Sequence, residues 1–320
     1  MDLKNFFQGG VMEATQTADL AVRDAAKKYQ GSFAWPTVLL GIAVTVAYAA
    51  ILVAASTGQL SLVVAAILTA PVVYAAYTVL HEAAHGTIAG SRQDLRWVNE
   101  ALGYVAGWIM MIPLTAHRHE HLSHHRNTND PDDDPDHLVS AIADAPWRAL
   151  PAVAKILASQ YRFYIEHRWH KAPRKQNVNF CIEVAAAFGL RIAFMALGFW
   201  DVGVAVFLVG GLAGVFITMY LFAYIVHRPH SEIGRYVDTS AIEAPAWCNS
   251  TVTWLWLFQN YHAIHHLFPR IPFFHYRRLF TEVEAELMAC GTPVYDLGMG
   301  GLSRRALPLD THGQSAQTAM

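Results

Sequence analysis

The chain has 320 residues, of which 54% are hydrophobic and only 15% charged, well below the roughly 25% charged share of soluble domains. Its net charge of −2 excludes a basic field for holding nucleic acid. Three distant cysteines, Cys181, Cys248 and Cys290, provide neither a disulfide framework nor a CxxC metal site. Seventeen histidines are the anomaly, and they are clustered.

A polar stretch through Gln30 opens the chain and lacks the short basic-then-apolar layout of a cleaved signal peptide, so the first apolar run is expected to act as its own insertion signal. Four stretches are apolar enough to cross a bilayer, at about 35–55, 61–80, 180–200 and 202–226. The first two are joined by Ser56-Thr57-Gly58-Gln59 and the last two near Asp201, both short enough to force helical hairpins. Arg191 lies inside the third stretch and must face protein or water. The apolar run 98–115, interrupted by Glu100, is expected along the interface or re-entering it.

Four of the lysines and arginines precede the first span, eleven lie between Arg92 and Lys175, and seven lie between Arg228 and Arg305. Neither hairpin loop has one. Cationic segments stay inside, so both termini and the central segment are expected on the cytoplasmic side, as in a bacterial inner-membrane protein. The expected organisation is a cytoplasmic segment over 1–34, a membrane domain over 35–280 and a tail over 281–320. The expected fold is all-α and integral to the membrane: four spans capped by a cytoplasmic helical domain that carries the histidines.

Three clusters stand on that one side. His81-Glu82-Ala83-Ala84-His85 sets two imidazoles on one helical face. His121-Leu122-Ser123-His124-His125, preceded by His117 and His119, and His262-Ala263-Ile264-His265-His266 repeat the arrangement at i, i+3 and i+4. Imidazole suits several transition metals, and eight histidines exceed what one tetrahedral zinc can use, so two metals are indicated. His81-Glu82-xx-His85 is also the zinc-peptidase pattern, with Glu82 as general base, but that reading leaves the other two clusters without a role. A divalent-metal transporter would place ligands near the bilayer midplane, where the spans, read as carrying Arg191 alone, offer none. The acidic run from Asn127 to Asp136 holds two prolines and is a loop. Its carboxylates, Asp130 and Asp136 among them, are candidate acceptors for the outer N–H of ligating imidazoles, as are Glu82 and, through its amide, Asn260.

At these residues the sequence resembles the membrane fatty acid desaturase superfamily, whose pattern is HxxxH, HxxHH and HxxHH. The resemblance covers about 79–280 and is strongest to β-carotene hydroxylases of cyanobacterial type, through His121–His125, the run 129–137, His227-Arg228-Pro229 and 259–272. His81-Glu82-Ala83-Ala84-His85-Gly86 is similar to β-carotene ketolases. It implies His81, His85, His121, His124, His125, His262, His265 and His266 as iron ligands, with His227 as a ninth. Acyl-CoA desaturases have asparagine four residues before that histidine, where this chain has Ala223. The resemblance also implies two irons, O2 and a lipophilic substrate: first the ring of a carotenoid, to be hydroxylated, and second an acyl chain, to be desaturated or hydroxylated. No side chain can attack an unactivated C–H bond, so a metal must supply that step. The chain has no dinucleotide fingerprint or haem motif, so electrons are expected from a ferredoxin or similar donor. Arg92, Arg96, Lys171, Arg174 and Lys175 form a candidate docking patch for it.

Overall fold

The computed structural model describes residues 3–306, with side chains from residue 15 onward. Helix α1 (Leu3–Lys27) precedes the hairpin of α2 (Trp35–Ser56) and α3 (Leu62–His85). Two shorter helices follow, α4 (Arg96–Met110) and α5 (Leu114–Asn127), then α6 (Ala149–Phe163) and the second long hairpin, α7 (Arg174–Ala196) with α8 (Trp200–Tyr224). The chain closes with α9 (Asn249–Leu255), α10 (His262–Leu267) and α11 (Tyr276–Ala289).

Helices α2, α3, α7 and α8 have 22, 24, 23 and 25 residues, enough at 1.5 Å per residue to cross the roughly 30 Å hydrocarbon layer. They leave large apolar side chains exposed, among them Leu39 and Val46 of α2, Ile67 of α3, Ile192 of α7 and Leu208 of α8. Such surface is stable against lipid and not against water, so this is an integral membrane protein. Each hairpin turns on a left-handed glycine, Gly58 at φ 74° and Gly198 at φ 102°.

The inner face of the bundle is tightly packed. Helix α8 presents Gly210 and Gly214 to α3, where an added Cβ would lie 2.6 Å from the Thr69 Cβ and 2.5 Å from the Val73 Cβ. Small residues four apart let two helix backbones approach this closely. Arg191 is buried. Its guanidinium donates to the carbonyls of Ala187, Trp108 and Ile109 and stacks 4.5 Å over the Trp108 ring. A cation is thereby placed at the C-terminal carbonyls of α4, where the helix dipole favours it. Glu183, near the middle of α7, accepts from the backbone N–H of Thr115 and from its hydroxyl at the N-terminus of α5, where the helix dipole favours an anion. The third span therefore holds a carboxylate as well as Arg191, correcting the reading that Arg191 stands alone. Both charges fasten the two short helices to the span.

Two features depart from the expected organisation. The boundary near 280 falls inside α11, and Leu279, Phe280, Val283 and Leu287 pack with Val22, Ala25 and Ala26 of α1 in one core. The segments flanking the membrane domain thus form a single layer. A small sheet joins them: β1 (Ala241–Glu243) pairs parallel with β2 (Val294–Gly298), which pairs antiparallel with β3 (Gly301–Arg304). Among the described residues, this sheet is the one departure from an otherwise helical architecture.

Candidate metal centre

Helix α3 runs five residues beyond its expected end at 80, so His81 and His85 occupy its last turns and Gly86 caps it in the left-handed region at φ 73°. Helix α5 is polar in composition yet buries His117, Glu120, His121 and His124. Burying that many polar groups is stable only where they meet partners. Helix α10 is a short turn hung from β1 and the end of α8. The Ala263 N–H donates to the Ser240 carbonyl, the Ser240 N–H to the Val226 carbonyl, and the Asn260 side chain to the Ile242 carbonyl. Val226 immediately precedes His227, so one hydrogen-bonded strip sets both His227 and His262.

The rings converge in two groups. His81, His85, His121, His125 and His265 bring one nitrogen each to within 4.8 Å of one another, and His124, His227 and His266 form a second set under the same limit. Two nitrogens opposed across a metal at about 2.1 Å would stand about 4.2 Å apart, so both groups have the size of a first coordination shell. His262 belongs beside the second, its ring centroid 5.1 Å from that of His227 and 4.8 Å from that of His266. The histidines named from the sequence come together, five on one side and four on the other.

Outer hydrogen bonds select which nitrogen faces inward. The Nδ1 of His124 lies 2.8 Å from Asp134, that of His265 2.9 Å from the Tyr276 hydroxyl, and that of His262 3.0 Å from the Gln259 side-chain oxygen. Thr128 donates to the His124 carbonyl, which leaves its oxygen to accept from His266 Nδ1. Such partners set the tautomer and raise the basicity of an imidazole ligand. Burial, followed by the neighbouring imidazoles, holds His121, His125, His265 and His266 well below the usual histidine range, and burial brings His262 down to about 3. Neutral rings with free lone pairs are what a metal requires. Burial also acts against a charged His124, but Asp134 outweighs it and raises that ring to about 9.

The donor set fits metal ions. Among the described residues, the Nε2 atoms of His81, His85 and His266 and both ring nitrogens of His227 are buried without a hydrogen-bond partner. Unpaired buried polar atoms are costly, and so many in one place call for a ligand. The Nε2 atoms of His121 and His265 lie 3.0 and 2.9 Å from that of His125, a crowding that a shared cation relieves.

Three of the expected outer acceptors bond elsewhere. Both carboxylate oxygens of Glu82 are engaged, one by the Thr37 hydroxyl at 2.7 Å and one by the Phe273 N–H at 2.8 Å. Glu82 thus ties α2 and the loop before α11 to α3, and it is not placed as a peptidase base. Asp130 accepts from the backbone N–H groups of Asp132 and Asp133, closing its own turn. Asn260 holds β1, as above. Asp136 stands 3.9 Å from His124 Nδ1, too far for a hydrogen bond, while Asp134, two residues earlier, makes the contact. Asp134 was missed because nothing in an acidic run tells which carboxylate the turn will aim.

A family model described as fatty acid desaturase matches residues 58–296. The chain belongs to the fatty acid desaturase family. An sn-1 oleoyl-lipid 12-desaturase of Picosynechococcus sp. is 27% identical over 274 residues, covering 78% of this chain and 76% of that protein. A fatty acid desaturase of Bacillus subtilis is 26% identical over 61% of this chain and 60% of its own length. An acyl-lipid (7-3)-desaturase of Diacronema lutheri is 26% identical over 66% and 54%. This chain therefore spans little more than half the length of the last two. As a desaturase-family protein it is an oxidoreductase of the membrane. The matched relatives carry acyl-lipid and fatty acid names, and the closeness to carotenoid enzymes expected from the sequence rests on the motifs alone.

Proposed function

We propose that this protein is a di-iron, O2-dependent oxygenase that oxidises a C–H bond of a lipophilic substrate. The observation that carries the reading is the pair of all-imidazole groups, five and four rings, meeting where the two membrane hairpins end. His81, His85, His121, His125 and His265 would hold one iron, and His124, His227, His262 and His266 the other. The irons would supply O2 activation toward an unactivated C–H bond. The chain's own residues set the rest. Asp134, Gln259, Thr128 and Tyr276 orient the rings, and an apolar pocket beside them receives the substrate. That pocket is bounded by Tyr77 and Phe222, whose rings lie 5.6 and 5.9 Å from His81, and by Met110, Ile112 and Met219. Its wall excludes water from the reacting carbon.

For the substrate, the histidine motifs favour hydroxylation of a carotenoid ring, and the names of the relatives favour desaturation of an acyl lipid. Electrons would come from a ferredoxin or similar one-electron carrier on the cytoplasmic side. A polar cleft lined by Arg96, Arg270 and Gln176 reaches His85 and offers such a carrier a route to the first group.

Expression in two hosts, one making β-carotene and one with a simple acyl profile, tests the reading by chromatography of pigments and fatty esters. One pool is expected to change. The purified protein is expected to hold about two irons per chain, and His265→Ala to abolish turnover while the protein still inserts. Zinc in place of iron, or full activity in His265→Ala, would overturn the reading.

A further inference from the structure

Two histidines of α5 stand outside both nitrogen groups: His119, which meets the Gln176 side chain, and His117. His117 is 2% exposed, stacks on His121 with ring centroids 5.1 Å apart, and stands edge-on to Tyr77 at 5.6 Å. It lines the same mostly apolar pocket that Tyr77 and Phe222 bound beside His81, whose wall also carries Asp136, Gln160 and Thr218. Its Nδ1 lies 3.0 Å from the Gln160 side-chain oxygen, and its Nε2 is buried with no partner. An amide oxygen only accepts, so His117 Nδ1 carries the proton and Nε2 keeps a bare lone pair.

An acceptor left bare in an apolar pocket is costly unless a donor arrives with the ligand. Such a pocket discriminates strongly, since a ligand lacking the donor leaves the acceptor stranded. We propose that His117 is a specificity-determining residue that accepts a hydrogen bond from a hydroxyl group of the substrate. The preferred substrate is then a lipid already oxygenated close to the carbon to be oxidised, and a plain hydrocarbon ring or chain is disfavoured. The inference rests on the proposed function, and it adds the class of substrate. It also sets the reaction second in order, after one that introduces the hydroxyl.

The test is competition between paired substrates in cells expressing the full chain: β-carotene against its ring-hydroxylated derivative, and oleate against a hydroxylated oleate. Wild-type protein is expected to prefer the hydroxylated member of the pair it accepts by about tenfold. His117→Phe, which keeps a ring to stack on His121, is expected to bring the ratio to about one, while His117→Gln, which keeps an acceptor, retains most of it. Iron per chain, measured alongside, separates lost selectivity from lost metal. If His117→Phe fails to fold, Gln160→Leu, which removes the acceptor for His117 Nδ1, is read by the same ratio. Turnover of both members with no preference, or a preference that survives His117→Phe or Gln160→Leu, would overturn the inference and leave the proposed function standing. Turnover of neither pair would bring down both.

Discussion

At the scale of single residues, the centre depends on which atom each imidazole turns inward. Four of the nine rings have Nδ1 occupied by an oxygen acceptor or hydroxyl, and these contacts come from four different parts of the chain: Asp134, Gln259, Thr128 and Tyr276. The His124–Asp134 pair is the one with formal charge. Removing such an outer partner costs roughly 10–100-fold in metal affinity. Asp134→Asn is accordingly expected to reduce iron from about two per chain toward one, read by metal analysis after dialysis, with His124 and its neighbours losing theirs first. Glu82→Ala should behave differently. Its two hydrogen bonds tie α2 and the loop at Phe273 to α3, so thermal stability is expected to fall while iron per folded chain stays at the wild-type level. A fall in iron with unchanged stability would return Glu82 to the metal site.

At the scale of elements, the position of the site is a matter of how closely α3 and α8 approach. Gly210 and Gly214 sit against Thr69 and Val73, about three and two turns below His81 on α3. A side chain there cannot be housed without separating the helices. Gly214→Val is expected to destabilise the fold by about 1–3 kcal/mol, the usual cost of overpacking. The same wedge displaces Phe222 from His81 and His227 from His124, whose rings are now 5.9 and 4.8 Å apart. Turnover should therefore fall more than the amount of folded protein does, which activity normalised to protein that remains monodisperse in detergent will show. Gly189, whose added Cβ would meet nothing within 4 Å, is the control: Gly189→Val should leave both quantities near wild type.

At the scale of the whole molecule, two hairpins carry the chain across the membrane and everything polar gathers at their open ends. His81 and His85 occupy the end of α3 opposite the turn at Gly58, and the other converging histidines, the small sheet and the α1–α11 layer gather at the ends of α3 and α8 opposite the two turns. From the distribution of lysine and arginine we propose that this end faces the cytoplasm. With the native cysteines replaced, Gly58→Cys is expected to react with a membrane-impermeant maleimide in intact cells, and Ser303→Cys only after permeabilisation. The opposite pattern would invert the topology.

The apolar runs were sufficient to read the membrane helices, and the histidine spacings to name eight of the nine converging rings, because periodicity and ligand type are properties of local sequence. His227 had no spacing of its own and came from the family resemblance. The helical face of His121, His124 and His125 follows from three- and four-residue steps, whatever lies across from it. Long-range pairing is a different matter. That α5 gives His121 and His125 to one group and His124 to the other depended on where α3, α8 and α10 stand around it. Asp134 rather than Asp130 or Asp136 meets His124 because of one turn's geometry, and Asn260 serves β1 because a strand that short has no readable pattern. His117 was visible in the sequence only as one more histidine before a motif. Its separation from both nitrogen groups, its lock on Gln160 and its place in the apolar pocket exist only once the helices are packed, since each depends on residues from a different helix.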